Sequence, residues 1–310
     1  METSDMQDRG ELWRGYCDKF ADMGPDVLRP GCHPRLLRHN PPSGRALVLV
    51  HGLSDSPAFL GALAEHFHSR LGYDVYLPLL AGHGLCQPRG MRGVRLEQWL
   101  DNVHFAVATA ARGGAMVFLG GLSTGGALAL LLALGEGAVD GDLFLFSPAL
   151  GLADGPSGFP GPLKERLLRQ RWVAAADRLL DLALPLVGRH PWRYDRVPLV
   201  AAAQLVRLME RLAALDAASA AGFAGRIFAA WSECDRVVSV ARIRALNERA
   251  ATGRFHPFVL PESAGVAHAS VVLGRPVYGV GGGGQPLEAA NPHFAAMLAA
   301  IDTFSAGTSC

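Results

Sequence analysis

Hydrophobic and polar positions fall into two alternating regimes along the chain. Arg45 to His51, Tyr73 to Pro78, Met116 to Leu119, Asp142 to Ser147, Arg226 to Trp231 and Arg254 to Leu260 are compact, mainly apolar runs of strand length. Runs without polar alternation suit strands buried on both faces of a parallel sheet. Between them, apolar residues recur at helical spacing. Phe59, Leu60, Leu63 and Phe67 form one such face, with Asp55 or Ser56 as the expected cap and Pro57 in the first turn. Trp99, Val103 and Val107 mark a helix from about Leu96 to Arg112, and another is expected from about Ser239 to Ala251. Asn291-Pro292 opens a last amphipathic helix carrying Phe294, Met297, Leu298, Ile301 and Phe304. Strand and helix in alternation predict an α/β fold with a mostly parallel, doubly wound sheet.

The alternation is interrupted once. Between about Gly151 and Gly222 the pattern reads as helix without strand. Leu168, Trp172, Ala176, Leu179 and Ala183 fall on one face of a first long helix, and Leu205, Leu208, Met209, Leu212 and Leu215 on one face of a second. Pro185, Pro191 and Pro198 break the segment between them. The expected organisation is a lead-in over residues 1–43, a core over 44–150 and 223–310, and a helical cap insertion over 151–222. Either the apolar faces of the insertion line an acyl pocket, or they simply pack on the core. The lead-in is polar at first, then extended or turning around Pro25, Pro30, Pro34, Pro41 and Pro42. The Gly279 to Gly284 run is expected to be a flexible loop, since it lacks the Lys-Ser/Thr ending of a phosphate loop.

The stretch from Met116 to Leu134 carries the candidate chemistry. An apolar strand breaks at paired glycines, places Ser123 within Gly121-Leu122-Ser123-Thr124-Gly125, and resumes at helical density. A tight strand-turn-helix junction holds a serine hydroxyl at the carboxyl edge of a sheet, and flanking glycines let neighbouring backbone approach without a Cβ. The next backbone N–H then points the same way, at a helix N-terminus that favours negative charge. Taken alone, the pentapeptide also fits a Gly-rich helix start with serine as N-cap. The surrounding strand and helix favour the nucleophile.

A serine hydroxyl is a weak nucleophile at neutral pH, so it needs a base, and the base needs an acid to orient it. In folds with this junction the acid comes next in the chain and the histidine after it. Of the later histidines, His190 lies in the insertion, His256 in a predicted strand and His293 in the first turn of the last helix. His268 sits in a loop just beyond a strand and is the expected base, with His256 as runner-up. Asp235 follows the strand ending at Trp231 and is the expected acid, with Glu233 as its local competitor. The oxyanion needs two N–H donors, expected from the backbone of Thr124 and of Leu53, next to Gly52. His51 and His83 are expected to brace loops rather than to act on substrate.

Composition narrows the function without choosing it. Half of the 310 residues are hydrophobic and 18% are charged, which is ample for a buried core. The formal net charge is +1 with interspersed signs, so no nucleic-acid or polybasic lipid surface is expected. The uncharged stretch from Gly113 to Gly135 is long enough to suggest a membrane span, but its glycines and its change of character at Ser123 argue against one. The polar, acidic start leads to an expected cytoplasmic location. The five cysteines are scattered without metal-ligand spacing, so reduced thiols are expected.

GLSTG at 121–125, HGLSDSP at 51–57, LPLLAGHG at 77–84, ECD at 233–235 and GVAH at 265–268 together resemble the α/β-hydrolase fold. In order and spacing they are similar to its monoacylglycerol lipase and carboxylesterase branch, often grouped with serine aminopeptidases. The resemblance covers roughly residues 44–305. It implies hydrolysis of a small-molecule carboxylic ester, with an apolar acyl chain, through an acyl-enzyme and without a metal or organic cofactor. A peptidase or amidase on the same machinery and a non-catalytic binding protein are the alternatives. The segment from His268 to the last helix is longer than the family pattern leads one to expect.

Overall fold

The computed structural model describes residues 15–16, 19–20, 27–86, 90–137, 139–155, 158–180, 182–185, 189–215, 223–250, 253–281 and 284–307. Most of the expected polar lead-in before Pro25, and the middle of the Gly279 to Gly284 run, lie outside the described residues.

Seven strands form one sheet in the order β1-β3-β2-β4-β5-β8-β9. They are β1 (Arg35–Leu37), β2 (Arg45–Val50), β3 (Asp74–Leu77), β4 (Met116–Leu122), β5 (Leu143–Phe146), β8 (Ile227–Ser232) and β9 (Phe255–Leu260). Only β1 runs antiparallel to its neighbour, pairing Arg35 with Leu77. The helices of the core are α1 (Gly61–Ser69), α2 (Leu96–Ala110), α3 (Thr124–Glu136), α7 (Val240–Arg249) and α8 (Phe294–Ala306). The sheet is therefore mostly parallel and doubly wound, as the alternating pattern predicts.

Successive residues of a strand face opposite sides, and both sides of this sheet are buried. Ala46, Val48 and Val50 of β2 pack into a cluster with residues of α2, α3 and α7, whereas Leu47 and Leu49 pack into a second cluster with α1 and α8. This double burial is why the strands read as unbroken apolar runs. In the second cluster Phe144 lies edge-on to Phe67 and Phe304, with ring centroids 4.7 and 5.4 Å away. At the amino edge, the buried Asp74 carboxylate accepts the N–H groups of His39 and Ser43 and so ties the turn before β2 to β3.

The excursion between β5 and β8 departs from the expected two long helices without strand. It contains three described helices, α4 (Gly161–Leu168), α5 (Arg171–Leu180) and α6 (Leu199–Ala213), and a ribbon of β6 (Ala183–Pro185) with β7 (Arg196–Pro198). The expected first helix is split by a turn after Leu168, and Ala183 belongs to the ribbon. Leu215 lies past the end of α6. The expected side-chain cap of the helix after β2 is absent as well. Ser56 caps nothing with its hydroxyl, and the Asp55 carboxylate turns elsewhere. Among the described residues no helix is long and apolar enough to cross a membrane.

Removing the Phe144 ring leaves a cavity where four aromatic neighbours meet. Phe144→Ala is expected to lower unfolding free energy by roughly 3–5 kcal/mol, read from the shift of the urea midpoint at unchanged slope.

Candidate active site

Backbone packing places the serine. At the end of β4, a Cβ on Gly121 would lie 2.4 Å from the Val50 carbonyl oxygen, and one on Gly125 only 2.0 Å from that same oxygen. Any side chain there would separate β4 and α3 from β2. Ser123, between them, has φ 54° and ψ −113°, a region that a residue with a Cβ adopts only when its surroundings hold it there. Its side chain makes no capping hydrogen bond to α3, which removes the reading of this serine as an ordinary N-cap. Thr124 supplies the first N–H of the helix, one of those without an intrahelical acceptor.

The loop after β2 comes to the same place. A Cβ on Gly52 would sit 3.4 Å from Ser123 Cβ, so the turn holding Leu53 lies against the serine. His51 anchors this turn. Its Nδ1–H donates to the Gly52 carbonyl at 2.9 Å, and its Nε2 accepts the Leu80 N–H at 3.1 Å. Burial pushes the His51 pKa down to about 4, with the Gly52 carbonyl opposing, so the ring is neutral and fully committed to backbone. His83 lies edge-on to His51 and Trp99, and burial together with His51 takes its pKa down to about 3. Both are braces, as expected.

Asp235 and His268 meet across the ends of β8 and β9. His268 Nδ1 donates to Asp235 Oδ2 at 2.6 Å, while Asp235 Oδ1 accepts the N–H groups of Val237 and Val238 at 2.9 and 3.0 Å. Burial alone raises a carboxyl pKa. Here the charge and hydrogen bond of His268, with the two backbone donors, outweigh it and hold Asp235 below its usual value. The runner-up residues are engaged elsewhere. His256 bonds to the Gly253 carbonyl, and Glu233 takes Trp231 Nε1 and Arg244. Ser123 lies at the carboxyl end of β4 and the Asp235–His268 pair beyond the carboxyl ends of β8 and β9. Among the described residues no hydrogen bond joins Ser123 to His268; nucleophile–base contacts of this kind commonly tighten only on substrate binding.

One element of the site has no counterpart in the sequence reading. Asp55 is not a helix cap but the partner of a buried arginine. Arg193 Nε donates to Asp55 Oδ1 at 2.7 Å, and its Nη1 donates to Glu288. Asp55 stands inside a conspicuous motif, but nothing local marks Arg193 or Glu288 as its companions. The one available signal is the unusual length of the segment after His268, which carries Glu288. A cavity of about 680 Å³ lined by Arg35, Phe59, Trp192, Arg275 and Phe294 contains none of Ser123, Asp235 and His268.

The parallel sheet, the glycine-packed elbow and an Asp–His pair beyond the following strands are those of an α/β-hydrolase. The model of the serine aminopeptidase S33 family matches residues 41–264, and the chain belongs to that hydrolase family. The match takes in Ser123 and Asp235 and stops short of His268. No curated protein matches the chain in sequence. Among solved structures, a metagenome-derived lipolytic enzyme of the pair LipS and LipT is 19% identical over 90% of this chain and 99% of its own, with a TM-score of 0.66. The monoacylglycerol lipase of Paleococcus ferrophilus is 18% identical over 89% and 98%, with a TM-score of 0.63. A soluble variant of the Saccharomyces cerevisiae monoglyceride lipase is 12% identical over 90% and 92%, with a TM-score of 0.65. At these identities the likeness is one of fold.

The buried histidines make the fold acid-sensitive. His51 and His83 titrate near their model value, 6.5, once unfolded, but only near about 4 and about 3 when folded. Their stabilisation is complete above the unfolded value and is lost as pH falls toward the folded ones. Tm is expected to fall by more than about 5 °C between pH 7 and pH 4.5 in calorimetry; a flat Tm over that interval would contradict the assignment.

Proposed function

We propose that the chain is a serine hydrolase that cleaves carboxylic esters through an acyl-enzyme on Ser123. The observation that carries this reading is the 2.6 Å Asp235–His268 pair placed beyond strands that share a carboxyl edge with a strained, uncapped serine. His268, held by Asp235 in the tautomer that leaves Nε2 free to accept, takes the proton of Ser123 Oγ as Oγ attacks the ester carbonyl. The N–H groups of Leu53 and Thr124 receive the charge that develops on the carbonyl oxygen. His268 then gives its proton to the departing alcohol. Water, deprotonated by the same ring, attacks the acyl carbon and releases the acid. These steps need no metal and no organic cofactor.

Residues 151–222 serve in this reading as a cap over the site. Their largely apolar helices favour a small-molecule ester with an apolar acyl chain over a charged substrate. The solved lipases and lipolytic enzymes that share the fold are consistent with such a substrate. The description of the matched family as serine aminopeptidase favours a second reading, in which the same groups cleave an aminoacyl amide.

Hydrolysis of p-nitrophenyl esters of graded chain length separates these readings when assayed beside aminoacyl p-nitroanilides. The ester reading expects turnover that peaks at a medium or long acyl chain and exceeds that of the anilides. Ser123→Ala is expected to lose at least roughly 10³-fold in kcat, and Asp235→Asn a comparable amount. Equal rates from native protein and Ser123→Ala would sink the mechanism. A fluorophosphonate is expected to label native protein at Ser123, and folded protein that resists labelling would instead be a binding protein.

A further inference from the structure

The turn that carries Leu53 is not self-supporting. Asp55 N–H closes it onto the Gly52 carbonyl at 3.2 Å, and Ser54 inside it has φ 77°, a left-handed conformation in a residue with a side chain. The Asp55 carboxylate folds back over Gly52, with Oδ2 only 2.6 Å from where a Cβ would lie. Gly52 is thereby held between Asp55 on one side and Ser123 on the other.

The chain leaving the insertion grips this turn twice. Tyr194 N–H donates to the Ser54 carbonyl at 3.1 Å, and Arg193 Nε donates to Asp55 Oδ1 at 2.7 Å. Arg193 is itself held. Its guanidinium lies 5.0 Å from the centre of the Phe59 ring, its backbone carbonyl accepts Arg29 Nη1 at 2.8 Å, and its Nη1 reaches Glu288. Glu288 in turn is fixed by backbone pairing with Val277, which follows the short turn Ala269–Val272 next to His268. The side chains of Arg193, Asp55 and Glu288 are exposed by only 9%, 3% and 6%. Two carboxylates on one buried guanidinium are a poor device for stability, since desolvation opposes the attraction and one negative charge is left over. They are a good device for fixing position, because a forked guanidinium accepts partners only in set directions.

We propose that Arg193 is a positioning residue for the oxyanion hole. Fastened by Glu288, it holds Asp55 and so fixes the direction of the Leu53 N–H. This rests on the serine hydrolase reading above. It also gives the long segment after His268 a task, which is to deliver Glu288. The connection runs from the insertion to the oxyanion turn without passing through substrate.

Arg193→Lys keeps the charge but cannot serve both carboxylates in the observed geometry. With p-nitrophenyl butyrate it is expected to lower kcat per fluorophosphonate-titrated site by about 30-fold, as for a misdirected donor, while KM stays within about twofold. Inhibition by an alkyl trifluoromethyl ketone, whose adduct oxygen occupies the oxyanion position, should weaken by the same factor. Glu288→Gln is expected to move both quantities in the same direction by about fivefold. A merely structural role would reduce the fraction of titratable sites and leave kcat per site and ketone affinity unchanged. That result in folded Arg193→Lys overturns the proposal. Should Arg193→Lys fail to fold, Glu288→Gln and Asp55→Asn decide on the same two readouts, and unchanged values in both overturn it. Native protein that is neither labelled nor active would bring down the hydrolase reading and this one with it. Native activity with indifferent variants would bring down this one alone.

Discussion

A single carbonyl oxygen governs the layout of the site. Val50 O lies against both Gly121 and Gly125, at separations that leave no room for a side chain on either. Because that oxygen ends β2 and those glycines flank Ser123, the contact locks the serine turn to the strand whose next residues form the oxyanion loop. Nucleophile and oxyanion donors are thus brought side by side by main-chain packing, before any side chain contributes. The strain at Ser123 follows from the same closeness, since the chain must reverse direction within one residue to start α3. The dense burial of β2, β4 and β5 on both faces is what holds that strain.

Around this fixed centre, charge is distributed by contrast. His51 and His83 are kept neutral by burial and serve as rigid hydrogen-bonding spacers. Asp235 is kept ionised in spite of burial, by His268 and two backbone donors. The protein therefore surrounds one histidine with a carboxylate and strips the other two of any counter-charge. An imidazolium is stabilised at His268 alone. The Arg193 triad adds a further buried negative charge facing the same loop, and Glu288, pushed upward by burial against the pull of Arg193, is the weaker acid of the two carboxylates.

What the sequence makes legible is what local grammar encodes. The strands of the sheet interior announce themselves as unbroken apolar runs because both of their faces are covered. Ser123, Asp235 and His268 each lie a few residues beyond such a run, so strand order suffices to select them. β1 is different. Three residues between prolines carry no periodicity, and only pairing with β3 makes them a strand. The β6–β7 ribbon is equally short and contains Pro185 and Pro198, the residues that read as helix breakers. Asp55 shows a third kind of gap. Its neighbours argue for a helix cap, and what it does instead depends on a residue 138 positions away in the chain. No local rule reaches that far.

The grip of Arg193 and Tyr194 on the oxyanion turn divides the insertion into parts with different freedom. Tyr194 O–H donates to the Gly82 carbonyl and accepts the Leu85 N–H, each at 2.9 Å, so the strap at 192–194 is sewn to two loops of the core. The helices before it, α4 and α5, carry exposed Leu163, Leu167 and Trp172 and have no such stitching to the oxyanion turn. Recombination or design can therefore exchange the upstream helices as a module, and substrate preference can drift with them. An exchange that runs through the strap removes part of the catalytic scaffold along with the cap. The useful crossover point lies upstream of His190, and specificity and catalytic competence become separately heritable across it.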